Sequence, residues 1–159
     1  MVKYIKGDVL KCEATLVAHQ VNVFGVMGGG IAAAIWPLLT PESQRAYEEK
    51  CQHDINCPMA EWMGSIQIMQ TTREGLEICN LFTQLPSPAP GSSCVTAYGY
   101  LWQALDTLRV YAVLNDYDIV AVPARIGCGI AGGDWDKVQR IIHEVYDDSG
   151  ITMLIVDNQ

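Results

Sequence analysis

Leu16-Val17-Ala18-His19-Gln20-Val21-Asn22 runs through Phe24-Gly25-Val26-Met27-Gly28-Gly29-Gly30 into Ile31-Ala32-Ala33-Ala34-Ile35-Trp36, a strand-like, loop-like and helix-like succession from which the fold class follows. The first segment is apolar at nearly every position, as a strand covered on both faces must be. The second is too rich in glycine to hold regular structure. The third reads as a helix, which Pro37 ends or kinks. The same succession recurs downstream. Ile119-Val120-Ala121-Val122-Pro123 predicts a buried strand, residues 126–133 a second glycine-rich loop, and Asp134 the N-cap of a helix reaching about Tyr146.

Outward from these two units, Val2 to Ile5 predicts a short strand closed by Gly7-Asp8. Thr40-Pro41-Glu42 starts a helix to about His53, with threonine as cap, proline in the first turn and an acid at the positive dipole end. Ser65 to Gln70 alternates with period two, Thr72-Arg73-Glu74-Gly75 turns, and Leu76 to Phe82 returns, which predicts a hairpin. Leu85 to Ser93 reads as a stiff proline-rich loop. Thr96 to about Leu114 predicts a long helix whose apolar stripe is Leu101, Ala104, Leu105, Leu108 and Ala112. Ile151 to Val156 is the last strand. Strands and helices alternate at both ends around a hairpin, so the class is α/β with a mixed sheet, in one domain over residues 1–159.

Composition narrows the function. Eighteen acids against ten bases give a net charge of −8. A protein that binds nucleic acid by neutralising phosphates carries a basic patch, and here the lysines and arginines are scattered singly. Backbone N–H groups would therefore do most of the work in holding an anionic ligand. No apolar run reaches the length of about 18 residues that a membrane helix needs. The start of the sequence is too polar for a signal peptide, so the expectation is a cytoplasmic protein with no membrane partner and six reduced cysteines. Cys51-x-His53-x-x-x-Cys57 matches known zinc spacings poorly and lacks a fourth ligand, so no metal is expected, nor any cofactor.

Both glycine loops fall where a buried strand gives way to a helix, the place where α/β sheets bind ligands. Glycine lets the backbone approach a ligand closely, and a helix start offers unpaired N–H groups to an anion. Two such loops can form a two-sided clamp on a diphosphate, or they can be two turns that need positive φ. A Walker loop fails for want of a lysine between Gly25 and Ile31. Gly127-Cys128-Gly129-Ile130-Ala131-Gly132 has the form of a dinucleotide fingerprint, but too little chain follows it for the rest of that sheet. A thiol phosphatase would need an arginine after Cys128, and none is there.

Gly7-Asp8-Val9-Leu10, His19-Gln20-Val21-Asn22, Gly28-Gly29-Gly30-Ile31-Ala32 and Pro123-Ala124-Arg125-Ile126-Gly127-Cys128-Gly129 together closely resemble the macrodomain family, in order and spacing, over nearly the whole chain. The resemblance implies a three-layer α/β/α fold and ADP-ribose, or a relative such as ADP-ribose 1″-phosphate, as small-molecule ligand. ADP-ribosylated macromolecules are a further implied partner. It implies that Asp8 accepts from the adenine amino group, with Val9 offering its backbone, and that Asn22 faces the distal ribose. Gly28, Gly29, Gly30 and Ile31 would wrap that ribose and one phosphate. Ile126, Gly127, Cys128, Gly129 and Ile130 would give N–H groups to the diphosphate from the other side.

Within the family the chain looks most like the small branch of ADP-ribose 1″-phosphate phosphatases and a terminal ADP-ribose–glutamate hydrolase. That hydrolase uses a lysine after the hairpin and an aspartate in the second loop. Gln84 and Ala131 stand there, and neither can form an adduct or carry a proton. The expectation is therefore phosphate removal from ADP-ribose 1″-phosphate, with His19 as general acid or base, Asn22 orienting the ribose and Asp134 a candidate carboxylate. His19 can equally be a strand histidine satisfied by a carbonyl, and Asp134 a plain helix cap. Two rivals stand beside this reading: a module that binds ADP-ribose without turnover, and de-ADP-ribosylation by substrate-assisted attack of water.

Overall fold

The computed structural model describes residues 1–53, 61–86 and 94–158. Its strands are β1 (Val2–Lys6), β2 (Leu16–Val21), β3 (Ile66–Gln70), β4 (Glu77–Phe82), β5 (Gln84–Pro86), β6 (Cys94–Thr96), β7 (Ile119–Pro123) and β8 (Thr152–Asp157). Its helices are α1 (Gly30–Ile35), α2 (Pro41–His53), α3 (Tyr98–Leu114) and α4 (Trp135–Tyr146). Six of the strands form one sheet in the order β1-β8-β7-β2-β4-β3. All neighbours are parallel except β3, which pairs antiparallel to β4 as the hairpin pattern requires.

The layers follow from side-chain alternation. Val17 and Val21 of β2, with Ile78 and Phe82 of β4, pack into a core with Ile35 of α1 and Tyr47 of α2. Leu16 and Ala18 of β2, with Cys79 and Leu81 of β4, pack into a second core with α3 and α4. The sheet is thus covered on both sides, a three-layer α/β/α arrangement. Every residue of β2 is buried, which accounts for its near-continuous apolar run. The predicted stripe of α3 is fully buried at all five positions.

The predicted helix starts are built as the residue types require. Thr40 Oγ1 accepts from Ser43 N at 3.2 Å, and Asp134 Oδ1 accepts from Asp136 N at 3.0 Å. The segment read as a stiff loop from Leu85 differs: β5 and β6 flank it as an antiparallel two-stranded ribbon. Residues 87–93 lie outside the described residues, as does Cys57 of the zinc-like spacing. Among the described residues, no group of three or more His, Cys, Asp or Glu could hold a metal ion. No described helix is long and apolar enough to cross a membrane.

Candidate functional site

The chain leaves β2 for α1 on one side of the sheet and leaves the adjacent strand β7 for α4 on the other. Connections that diverge in this way open a crevice at the carboxyl ends of the two strands. A cleft of about 520 Å³ lies there. One wall is Val26, Met27, Gly28, Gly29, Gly30, Ile31 and Ala32. The opposite wall is the run from Pro123 to Ala131, Cys128 excepted, and Gln20, Val21, Asn22 and Gln84 complete the lining.

The first wall offers backbone donors, whereas the second departs from expectation at two positions: Ile126 N and Cys128 N are spent within the loop, on the Pro123 carbonyl at 3.2 Å and the Arg125 carbonyl at 2.9 Å. Gly29 caps α1 without a side-chain hydrogen bond, so the first amides of that helix lack a side-chain acceptor. In the second wall Gly127 adopts φ +73°, a left-handed conformation open to glycine at little cost. A Cβ on Gly127 would stand 2.8 Å from Gln20 Oε1 and 2.9 Å from Thr96 Oγ1. A Cβ on Gly133 would stand 2.5 Å from the Gly127 carbonyl oxygen, which accepts from Gly133 N at 2.9 Å. These two glycines are therefore demanded by close packing of the loop on itself and on β2.

A polar network behind the cleft holds the second loop in place. The Thr96 hydroxyl donates to the Gly127 carbonyl, Gln84 Nε2 donates to Gln20 Oε1 at 3.1 Å, and Gln20 Nε2 donates to the Thr83 carbonyl at 3.3 Å. Asn22 shapes the first loop: its Nδ2 donates to the Val26 carbonyl at 2.8 Å, while its Oδ1 accepts from Phe24 N at 3.0 Å and from the Tyr47 hydroxyl at 3.2 Å. The Asn22 Nδ2 carries a second proton that the bond to Val26 does not use.

Of the residues singled out from sequence, Asn22, Gly28, Gly29, Gly30, Ile31, Ile126, Gly127, Gly129 and Ile130 share this lining. Gln84 and Ala131 share it too. Cys128 does not; its Sγ turns to the Ile126 carbonyl at 3.4 Å, and burial pushes its thiol up from the usual range. Asp8 and Val9 sit at the same end of the sheet, at the tip of β1, outside the lining. Asp8 Oδ1 accepts from Leu10 N at 2.9 Å and caps a single 3-10 turn, Val9–Lys11.

The two expected acid–base residues are corrected. His19 is fully buried in β2 and is not part of the lining; Asn80 Oδ1 accepts from its Nε2 at 2.7 Å. Desolvation drives its pKa down to about 4, which the Asn80 contact offsets only in part. A histidine sealed in the sheet cannot reach a ligand in the cleft. Asp134 also lies outside the lining, and its Oδ1 caps α4. Replacing Asp134 with alanine should cost about 1 kcal/mol of folding stability by urea denaturation, the usual loss of a cap. Sequence reasoning missed Gln20 and Arg125. Gln20 was signalled as a polar residue inside an otherwise apolar strand; Arg125 had no signal beyond its place between β7 and the loop.

The comparisons agree with this geometry. The macrodomain of Mycobacterium tuberculosis DarG superposes with TM-score 0.75 over 100% of this chain and 98% of that one, at 22% identity. A Thermosipho africanus DarTG structure in complex with ADP-ribose superposes with TM-score 0.74 over 98% of this chain and 41% of that one, at 16% identity. An ADP-ribose 1″-phosphate phosphatase of Saccharomyces cerevisiae is 25% identical over 96% of this chain and 97% of its own length. The chain belongs to the macrodomain family. A DNA ADP-ribosyl glycohydrolase of Mycobacterium tuberculosis is 29% identical over 88% of this macrodomain, which spans only 37% of that relative. An uncharacterized 17.5 kDa protein of Enterobacteria phage T4 is 30% identical over 99% of this macrodomain and 96% of its own length. No family model matches the chain.

Proposed function

We propose that this macrodomain binds ADP-ribose in the cleft and hydrolyses an ADP-ribose derivative at the distal ribose, with ADP-ribose 1″-phosphate the first candidate substrate. The observation that carries the reading is the pair of glycine walls facing each other across the β2/β7 crevice, one of them opening α1 with no side-chain cap on its first amides. That is how a protein of net charge −8 can hold a diphosphate. Laid across the strand ends, the ligand would have its adenine beside Asp8 and Val9 at β1. Its diphosphate would lie between Gly28–Ile31 and the loop Ile126–Ile130, and its distal ribose beside Asn22.

Among the described residues of the lining, Arg125 is the one ionisable side chain. Hydrolysis in such a site relies on positioning and on amides that stabilise developing negative charge. The proton acceptor for the attacking water would then be a phosphate oxygen of the substrate itself. Water adds, the bond to the 1″ substituent breaks, and ADP-ribose leaves with phosphate. A second reading, cleavage of ADP-ribose from a macromolecule, is favoured by the apolar rim. Val26 is 59% and Ile130 81% exposed at the mouth of the cleft, which leaves room and contact surface for a larger leaving group.

A phosphorus NMR time course with ADP-ribose 1″-phosphate tests the reading. Shifted diphosphate lines and growth of inorganic phosphate are expected. A His19→Asn variant at neutral pH should release phosphate at the wild-type rate, because the imidazole is outside the cleft. Shifted lines without phosphate would leave binding and exclude this substrate; unchanged lines would sink the ADP-ribose reading.

A further inference from the structure

Arg125 lines the cleft, is exposed, and makes no hydrogen bond or ion pair through its guanidinium with any described residue. Three other cations are paired, Lys11 with Asp8, Arg45 with Glu42 and Arg109 with Asp106, whereas Arg125, like Lys3, Lys6 and Arg140, pairs with no described residue. The Arg125 backbone sits at φ +60°, in the left-handed region. A long side chain is held there at a cost that glycine would avoid. The turn around it is tightly anchored, with Ala124 N donating to the Val156 carbonyl at 2.8 Å and Cys128 N to the Arg125 carbonyl at 2.9 Å. The chain thus fixes an arginine in a position where glycine would make the easier turn.

The sheet order sets which part of a ligand that side chain meets. Arg125 follows β7, and β7 stands between β8 and β1, where Asp8 lies, and β2, where Asn22 lies. A nucleoside diphosphate laid across the strand ends from Asp8 to Asn22 has its two phosphates over this middle position. A guanidinium presents a planar fork of donors matched to two phosphate oxygens, and it sheds water more readily than an ammonium. It would also offset, at short range, the repulsion that the acidic protein exerts on an anion.

We propose that Arg125 is a specificity-determining residue of the cleft, its guanidinium closing on the diphosphate while the glycine loops hold the opposite sides. The assignment rests on the ADP-ribose reading and makes the intact diphosphate, rather than the nucleoside, the recognised element. It predicts that affinity separates ADP-ribose from adenosine chiefly through this side chain.

Calorimetric titration of the intact chain with ADP-ribose and with adenosine, at low and high salt, tests it on wild type, Arg125→Gly and Arg125→Lys. Arg125→Gly should weaken ADP-ribose by about tenfold, a charged hydrogen bond discounted for solvent exposure. It should leave adenosine binding unchanged and keep or raise Tm, since glycine accepts φ +60° freely. Arg125→Lys should recover part of the loss, and high salt should narrow the gap between wild type and Arg125→Gly. Unaltered ADP-ribose affinity in Arg125→Gly would overturn the proposal, and so would a lowered Tm with equal losses for both ligands, which marks a structural role. Failure of wild type to bind ADP-ribose would instead overturn the underlying reading of the cleft.

Discussion

Gly127→Val should abolish ADP-ribose binding and lower folding stability by about 4 kcal/mol, through left-handed strain and overpacking together. The backbone at φ +73° disfavours any β-branched residue. The added Cβ would stand 2.8 Å from Gln20 Oε1 and 2.9 Å from Thr96 Oγ1. Neither neighbour moves freely. Gln20 is tied to Thr83 and Gln84, and the Thr96 hydroxyl is spent on the Gly127 carbonyl itself. Relief therefore requires the second glycine wall to lift from β2, which deforms the cleft. A loss of this size is a large share of a domain's stability. Urea denaturation and calorimetric titration check the two effects, and a variant with a wild-type midpoint would show that the loop is not packed as described.

The buried histidine gives the second large effect. In the unfolded chain His19 titrates near its ordinary value of about 6.5. In the folded protein desolvation lowers it to about 4, because a charge there would be sealed between β7 and β4. Asn80 Oδ1 takes the Nε2 proton, and Nδ1 has no described partner to receive a second one. As pH falls from about 6.5 towards 4, the unfolded state gains a proton that the folded state refuses. Stability from this group is therefore complete above the unfolded value and lost as pH falls, by on the order of 3 kcal/mol. The unfolding free energy of wild type should fall more steeply over that window than that of His19→Leu, in which the shared carboxylates still titrate. Parallel curves would mean that His19 is not held neutral in the sheet.

The same histidine shows where sequence reading stops. His19-Gln20-Val21-Asn22 presents three polar residues beside a glycine loop, and a histidine there suits acid–base work by its ordinary pKa. The side chains of a strand alternate, so Gln20 looks one way and His19 the other. Face alone does not settle which of the two reaches the crevice, since Val21, on the face of His19, is in the lining. What counts is how near the strand end each residue sits and what β7 and β4 cover. That placement is a tertiary fact. It sends His19 against Asn80 and leaves Gln20 and Gln84 to line the cleft. Asp134 was legible as a cap because capping is local, and its carboxylate does just that.

Residue pattern alone was enough for the α/β class, the order and approximate limits of most elements, the hairpin, the buried stripe of α3 and the place of both glycine loops. Those are consequences of residue periodicity, caps and breakers acting over a few positions. The strand order, the pairing of β5 with β6 around the proline-rich segment, and the membership of the cleft came from long-range packing. It admitted Arg125 and Gln20 and excluded His19 and Asp134. The physical reason is that the cleft is made by chain segments some hundred residues apart, brought together by parallel β2/β7 pairing. Local propensity carries no record of which side chain a distant strand will cover.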